Sequence, residues 1–211
     1  MNRILSALLL LLPLGGIAAA DDKPVSLFDG KTLAGWEGDT EKTWRIEDGA
    51  IVGGSLETTV PRNEFLCTKK TYGDFELKVK FKLEGDKGKA NAGIQFRTKR
   101  IPNHHEVSGY QADMGQQYWG ALYDESRRNT VLARPDPKLL AEIVKHGDWN
   151  EYVIRCEGPR VQLWLNGKQT VDYTEKDDKI DRTGVIAVQI HGGAKAKAHY
   201  KDIRITELSP K

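Results

Sequence analysis

The sequence predicts an all-β protein built from antiparallel strands. Apolar and polar residues alternate with a period of two, most clearly over residues 75–83, as in a strand with one face on a core and one toward solvent. Two dipeptides, Asp48-Gly49 and Asn166-Gly167, accept the positive φ that tight hairpin turns require. Many short strands separated by turn signals favour a β-sandwich or a β-barrel.

Nine runs of residues are predicted as strands. They are 43–47, 50–53, 75–83, 91–97, 110–114, 151–157, 161–166, 184–191 and 201–208. One helix is predicted over 138–146, in the long connection 125–148. Asp136 is its N-cap, Pro137 takes the first helical position and Gly147 closes it.

The first twenty residues predict a secretory signal peptide. Arg3 precedes an apolar run over 8–14, and Ala18-Ala19-Ala20 supplies the small residues of a cleavage site. The apolar run is too short, and too interrupted by Pro13, for a membrane span, which leaves a retained anchor as the alternative. The interpretation is a signal peptide over 1–20 and a single exported domain over 21–211, periplasmic or extracellular.

The charge of the chain argues against nucleic-acid and membrane partners. With 32 basic and 30 acidic residues, the formal net charge is +2, which gives no strong field for polyanions or anionic lipid. Cys67 and Cys156 lie far apart in sequence, in a compartment where disulfides form. Pairing and two buried thiols are both open, and neither spacing suggests zinc.

Three predicted strands each carry an amide and an ionisable residue on one face. The pairs, at i, i+2 spacing, are Gln95 with Arg97, Gln111 with Asp113, and Gln189 with His191. If these strands are neighbours, the pairs form one polar patch on a sheet. The alternative is a set of solvated strand faces, because polar-out alternation is the norm.

The ionisable members of the patch suggest acid–base chemistry. Arg97 has a planar fork that can hold a carboxylate or a developing oxyanion. Asp113 suits a base, a metal ligand or a structural partner of Arg97. His191 changes charge near neutral pH, which suits proton transfer.

A metal site is the second interpretation of the polar residues. His104, His105 and Glu106 are consecutive, but neighbouring strand residues point to opposite faces, and the spacing is no metal signature. A divalent ion held by some mixture of His105, Glu106, Asp113 and His191 stays open beside solvated histidines, so no cofactor is assigned with certainty.

Several familiar catalytic patterns are missing. The sequence contains no nucleophile elbow, no phosphate-binding loop and no dinucleotide fingerprint. No strand presents an alternating pair of glutamates as the acid and nucleophile of a retaining glycosidase on a sandwich. Ordinary two-carboxylate glycoside hydrolysis is therefore disfavoured.

A series of motifs along the chain resembles a known family. In order they are LFDGKTLAGWEG (27–38), WRIEDGAIVGG (44–54), YGDFELKVKFKL (72–83), NAGIQFR (91–97), GYQADMG (109–115), GALYDE (120–125), GDWNEYVIRCEG (147–158), LNGK (165–168), GVIAVQIHGG (184–193) and YKDIRITEL (200–208). Their order and spacing are similar to the secreted bacterial family long labelled DUF1080. That family is described as a 3-keto-disaccharide hydrolase, or 3-keto-glucoside 1,2-lyase and 2-hydroxy-glucal hydratase, domain.

The resemblance implies a fold, a substrate and a reaction. The fold is a concanavalin A-like jelly-roll β-sandwich whose concave sheet carries the site. The substrate is a glycoside or glycan whose C3 hydroxyl has already been oxidised to a ketone by a separate dehydrogenase. The reaction removes the C2 proton, eliminates the C1 substituent and adds water.

The resemblance also suggests roles for individual residues. Arg97, with or without a metal, would stabilise the enolate, and Asp113 or His191 would be the base or acid. This chain departs from the commoner family pattern GYEVQ, and Glu106, upstream in HHEVSGY, is the displaced acid. The remaining residues would bind the sugar: Gln95, Gln111 and Gln189 through its hydroxyls, and Tyr110, Trp119 or Tyr123 by stacking on its ring.

A non-catalytic carbohydrate-binding module is the alternative function. The same sandwich serves lectin-like domains, in which aromatic platforms and amides suffice and no group needs a perturbed pKa.

Overall fold

The computed structural model describes residues 23–209 as two antiparallel β-sheets packed into a sandwich. The predicted all-β sandwich with one short helix is therefore confirmed. The predicted signal peptide, residues 1–20, lies outside the described residues. Between residues 23 and 209, no helix is long and apolar enough to cross a membrane.

Fifteen strands and one helix make up the described chain. In order they are β1 (Val25–Ser26), β2 (Trp36–Glu37), β3 (Trp44–Glu47), β4 (Ala50–Ser55), β5 (Glu64–Tyr72), β6 (Phe75–Gly85), β7 (Asn91–Arg100), β8 (Val107–Gly115), β9 (Leu122–Glu125), β10 (Thr130–Ala133), α1 (Pro137–Ile143), β11 (Asn150–Glu157), β12 (Arg160–Leu165), β13 (Lys168–Thr174), β14 (Gly184–Ile190) and β15 (Ala196–Glu207).

The two sheets have different strand orders. The first sheet runs β13-β12-β11-β6-β15-β4-β3, with β1 paired to β15, and the second runs β10-β9-β8-β7-β14-β5-β2. The three strands that carry the predicted polar pairs, β7, β8 and β14, are adjacent in the second sheet. Their alternate residues, including Ile94, Ala112 and Val188, face the core between the sheets.

Both predicted hairpin turns occur. Glu47 pairs with Ala50 across Asp48-Gly49, and Leu165 pairs with Lys168 across Asn166-Gly167. The four turn residues all have positive φ, between 49° and 79°. Turns of this kind match the right-handed twist of the strands they join.

The helix begins where predicted and ends earlier. Asp136 caps it by accepting the Lys138 amide at 2.8 Å, and Pro137 occupies its first turn. It ends at Ile143, because Val144 is extended and Asn166 Nδ2 donates to the Ile143 carbonyl at 2.6 Å. The predicted end at Gly147 is therefore wrong by about one turn.

The two cysteines are free thiols, which settles the alternative left open by the sequence. Cys156 lies in the core between the sheets, whereas Cys67 lies in a small separate cluster with Phe65, Val107 and Ala187. Burial raises the pKa of Cys67 to about 11, so it stays a thiol at neutral pH.

Candidate functional site

The outer face of the second sheet carries a buried network of amides and one carboxyl group. Gln95 on β7 and Gln111 on β8 are directly paired across the two strands, and their side chains are hydrogen-bonded. Gln111 Nε2 donates to Asp113 Oδ2 at 3.0 Å, and Asn91 Nδ2 donates to Asp113 Oδ1 at 3.2 Å. The predicted polar patch therefore exists around Gln95, Gln111 and Asp113.

Small and aromatic residues beneath the network hold it in place. Gly93 leaves room for the Gln111 side chain, because a Cβ at Gly93 would lie 2.5 Å from Gln111 Cδ. Tyr152 reaches through the core from the first sheet, donating to the Asp113 carbonyl and accepting the Gly120 amide at 2.9 Å. Tyr200, also from the first sheet, holds the backbone of β14 by donating to the Gln189 carbonyl. The backbone under the network is therefore fixed from behind.

An accessible layer lies beside this network on β9. Tyr123 pairs with Gln111 in register, and Glu125 follows two residues later on the same face. Gln189 Nε2 donates to Glu125 Oε2 at 3.3 Å. Tyr123 and Glu125 are both partly exposed, so a ligand can reach them.

Glu106 completes the accessible layer. It accepts from Asn63 Nδ2 at 3.2 Å, and its second oxygen lies 3.5 Å from Ser126 Oγ. Its charge lies close enough to Glu125 to raise the pKa of that group. The displaced acid of the sequence motif therefore does reach the polar face.

The two central carboxyl groups have raised pKa values. Burial, reinforced by the charge of Glu125 and opposed by hydrogen bonds from Gln111 and Asn91, raises the pKa of Asp113 to about 8. Burial and the charge of Glu106 raise the pKa of Glu125 to about 7. Glu125 is therefore poised near neutral pH and accessible, whereas Asp113 is only 3% exposed and largely protonated there.

Asp113→Asn is expected to flatten the pH dependence of stability. Because the folded pKa of about 8 exceeds the ordinary 3.8, the folded state holds a proton that the unfolded state loses. The Asp113 contribution to stability is full below about pH 4 and falls until about pH 8. In urea unfolding experiments, the free energy of unfolding should fall less between pH 5 and pH 8 in the variant than in the unsubstituted protein. An unchanged slope, matching that of the exposed control Asp178→Asn, would contradict the assignment.

Arg97 does not belong to the polar patch, so this part of the sequence prediction is wrong. A β-bulge shifts the β7–β8 register between Phe96 and Lys99, and Arg97 has φ 46°. Its guanidinium donates to Asp74 Oδ1 at 2.6 Å and to the carbonyls of Gly73 at 3.0 Å and Gly158 at 2.7 Å. The bulge interrupts the alternation that placed Arg97 beside Gln95.

Two of the three predicted aromatic platforms also lie elsewhere. Tyr110 packs in the core against Phe96, and its hydroxyl donates to Glu175 at 2.7 Å. Trp119 packs in the core against Phe81. Neither ring is available on the polar face, and Tyr123 alone of the three lies there.

His191 follows the end of β14, opposite the polar residues of β7. Its backbone amide donates to the Asn91 carbonyl at 3.1 Å, and the ring is partly exposed. Nδ1 lies 2.7 Å from the Gly192 carbonyl, which places the proton of the neutral ring on Nδ1 and leaves Nε2 as an acceptor.

The four metal candidates are not assembled into one site. His105 Nε2 lies 3.5 Å from Glu106 Oε1, while the Asp113 carboxyl is occupied by two amide donors. Among residues 23–209, no group of three or more histidine, cysteine, aspartate or glutamate side chains could hold a metal ion. Within the described residues, the four candidate ligands therefore do not form a shared metal site.

Glu125, the most suitable acid–base residue, is not among the site residues predicted from the sequence. The signal in the sequence is that Glu125 lies two residues beyond Tyr123, a predicted sugar-binding residue, on the same strand. Its neighbour Asp124 faces the other way and pairs with Arg127 at 2.7 Å. The pairing of β8 with β9, which the sequence does not specify, brings Glu125 to the site.

The jelly-roll-like sandwich and the matching family model together support a glycosyl hydrolase-like or carbohydrate-binding domain. More specifically, the chain belongs to the 3-keto-alpha-glucoside-1,2-lyase-like domain family, whose model matches residues 23–206. No curated protein matches the chain.

Solved structures with the same fold include a protein described as a glycosyl hydrolase and a carbohydrate-binding module. A candidate glycosyl hydrolase from Parabacteroides distasonis is 22% identical, with a TM-score of 0.67, over 89% of this chain and 95% of that chain. The carbohydrate-binding module CBM66 from Bacillus subtilis is 15% identical, with a TM-score of 0.62, over 82% and 96%. A Bacillus subtilis protein with a galectin-like fold is 13% identical, with a TM-score of 0.60, over 83% and 90%. At these identities, the similarity shows the fold alone.

Proposed function

We propose that this domain cleaves glycosides whose C3 hydroxyl has already been oxidised to a ketone. The observation that carries the proposal is Glu125, an accessible carboxyl group on the polar face whose pKa is raised to about 7. A general base works best when its pKa lies near the operating pH. Family membership supports the substrate class.

The chemistry asks only for a modest base. The C3 ketone acidifies the C2 hydrogen, and ionised Glu125 takes that proton while the electron pair forms an enolate. The enolate re-forms the ketone as the C1–oxygen bond breaks and the aglycone leaves. Water then adds to the resulting unsaturated ketone. No oxocarbenium ion forms, so no acid–nucleophile carboxyl pair is needed.

Residues around Glu125 would assist it. Gln189 orients the Glu125 carboxylate through its amide. The proton that Glu125 has taken from C2 passes to the leaving oxygen. We assign His191 to the hydration step, in which Nε2, an acceptor with no hydrogen-bond partner among the described residues, takes a proton from the attacking water. Tyr123 is the aromatic residue placed to contact the sugar ring. Arg97, held by Asp74 away from the face, takes no part.

Chromogenic 3-keto-glucosides, assayed beside the matching unoxidised glucosides, test the proposal on purified residues 21–211. Release of the aglycone from the keto substrates alone is the expected result, and EDTA should leave the rate unchanged. Release from the unoxidised glucosides would instead indicate ordinary hydrolysis by Glu106 and Glu125. No release from either, with saturable glycan binding, would replace the enzyme with a carbohydrate-binding module.

The export of the chain belongs to the same proposal. A domain secreted to the periplasm or beyond would meet glycans there after a separate dehydrogenase has oxidised them. N-terminal sequencing of the protein from the medium and periplasm tests this, and a first residue at Asp21 is expected.

A further inference from the structure

A surface cleft of about 670 Å³ opens beside the polar face, at the loop that joins β7 to β8. Four of its lining residues carry basic groups, namely Arg62, Arg100, His104 and His105, and none of its lining residues carries a carboxyl group. The cleft therefore differs in charge from the acidic layer of Glu106 and Glu125 next to it.

Each of the two arginines is paired with one glutamate through Nε and keeps Nη donors for this cleft. Arg100 is held in place by Nη2, which donates to the carbonyls of Glu37 at 2.9 Å and Phe65 at 3.1 Å, and its Nε lies 3.5 Å from Glu37 Oε1. Arg62 uses only Nε, which pairs with Glu64 at 2.7 Å, and its side chain is 57% exposed. Both Arg62 Nη groups, and Nη1 of Arg100, make no hydrogen bond within residues 23–209. A guanidinium fork of this kind suits the paired oxygens of a carboxylate or sulfate.

The histidines add a donor to the cleft. The Glu106 amide donates to His104 Nδ1 at 3.2 Å, so the neutral ring carries its proton on Nε2. His104 and His105 are stacked, with ring centroids 4.4 Å apart. The loop itself is closed by hydrogen bonds from the Ile101 amide to the Glu106 carbonyl and from the His104 amide to the Ile101 carbonyl. The loop that carries the histidines is therefore held in place before a ligand arrives.

Direct contacts connect the cleft to the proposed catalytic layer. Asn63, the residue after Arg62, donates to Glu106 Oε1. The same oxygen lies 3.5 Å from His105 Nε2, and the Glu106 charge acts on Glu125. A glycan seated over Glu125 can therefore extend into the cleft.

We propose that the cleft is a subsite for an anionic substituent, a carboxylate or a sulfate, on the glycan substrate. This proposal rests on the proposed function, whose substrate class it narrows to acidic glycans. The acidic layer repels an anionic group, while the arginines attract it, so the charge difference also orients the glycan. The sugar that reacts lies at Glu125, and the charged substituent lies toward Arg62 and Arg100.

Calorimetric binding of three unoxidised ligands tests the subsite without turnover. The ligands are methyl glucoside, methyl glucuronide and methyl glucoside 6-sulfate, at low and at high salt. At low salt, at least one anionic ligand should bind about tenfold or more tightly than methyl glucoside, as expected for hydrogen bonds to a charged group. The tighter of the two identifies carboxylate or sulfate. Equal affinity for all three would overturn the proposal, as would inorganic sulfate binding as tightly as the sulfated sugar.

Arg62→Gln provides the matched variant, because the Arg62 side chain is 57% exposed and its replacement should leave the fold intact. It should remove most of the anionic preference while the affinity for methyl glucoside stays the same. Arg45→Gln is the control, since Arg45 also pairs with a nearby glutamate but lies on the first sheet. An equal loss in both variants would overturn the subsite.

Turnover of neutral and anionic 3-keto-glycosides separates the two proposals. No release from either kind, with the anionic binding preference intact, would reject the proposed function and keep the subsite. Release from both kinds at equal kcat/KM, with no binding preference, would keep the function and reject the subsite.

Discussion

Glu125→Gln is expected to lower kcat on a 3-keto-glucoside by about 10² to 10⁴, because it removes the base while keeping the shape of the side chain. Substrate affinity should change little, since the amide still accepts a hydrogen bond from Gln189. In the unsubstituted protein, kcat/KM should rise as the pH increases through about 7, because only the ionised carboxylate takes the C2 proton. Steady-state rates between pH 5 and pH 9 measure both effects.

Two further variants make the Glu125 result specific. Glu142→Gln, on the exposed surface of α1, is the matched control and should leave kcat unchanged. Glu125→Asp retains a carboxylate at a longer distance, so it should keep a rising pH profile at a reduced rate. Full turnover in Glu125→Gln would remove Glu125 from the chemistry. If Asp113→Asn lost turnover instead, the buried carboxyl group would be the base.

The alternation of residues was enough to predict which strand faces are polar. Gln111 and Asp113 were placed on one face of β8 by their spacing alone, and their contacts confirm it. Adjacency of β7, β8 and β14 was an assumption, because strand order depends on how distant segments pair and not on local pattern. The sequence therefore predicts which residues form the polar patch, but it does not predict which strands lie beside it.

Arg97 shows where alternation fails. A β-bulge adds a residue to one strand and re-aims the side chains beyond it, and nothing in NAGIQFR marks the position. The bulge is instead stabilised by tertiary contacts to Gly73, Asp74 and Gly158, which are distant in sequence. An isolated strand pattern carries no information about such partners.

The histidine-rich stretch that follows β7 has a different role from the one its composition suggested. Residues 101–105 line the basic cleft, and Val107, the first residue of β8, packs with Phe65, Cys67 and Ala187. Gln95 and Gln189 are completely buried. The amides predicted to bind sugar hydroxyls are therefore supports for the acids, and the accessible contacts come from Tyr123, Glu125 and Glu106.

Asp74→Ala is expected to lower the free energy of unfolding by about 3 kcal/mol, because it leaves the Arg97 charge buried without its partner. The Arg97 side chain is only 2% exposed, and Asp74 Oδ1 lies 2.6 Å from Arg97 Nη2. Asp74 Oδ1 also accepts the Gly158 amide at 3.0 Å, so the substitution leaves a second donor unsatisfied. With a urea m-value of about 2 kcal/mol/M, the unfolding midpoint should fall by about 1–2 M.

An exposed ion pair that includes Lys99, on the same strand as Arg97, gives the matched control. Lys99 and Asp181 lie 2.5 Å apart, but both side chains are more than half exposed, so Asp181→Ala should leave the midpoint nearly unchanged. Arg97→Met in the Asp74→Ala background should recover part of the loss, since it removes the unpaired charge. Turnover per folded molecule should be the same in all these variants. If a folded Arg97→Met protein had no turnover, Arg97 would have a catalytic role, and the purely structural role inferred from its position at the bulge would be wrong.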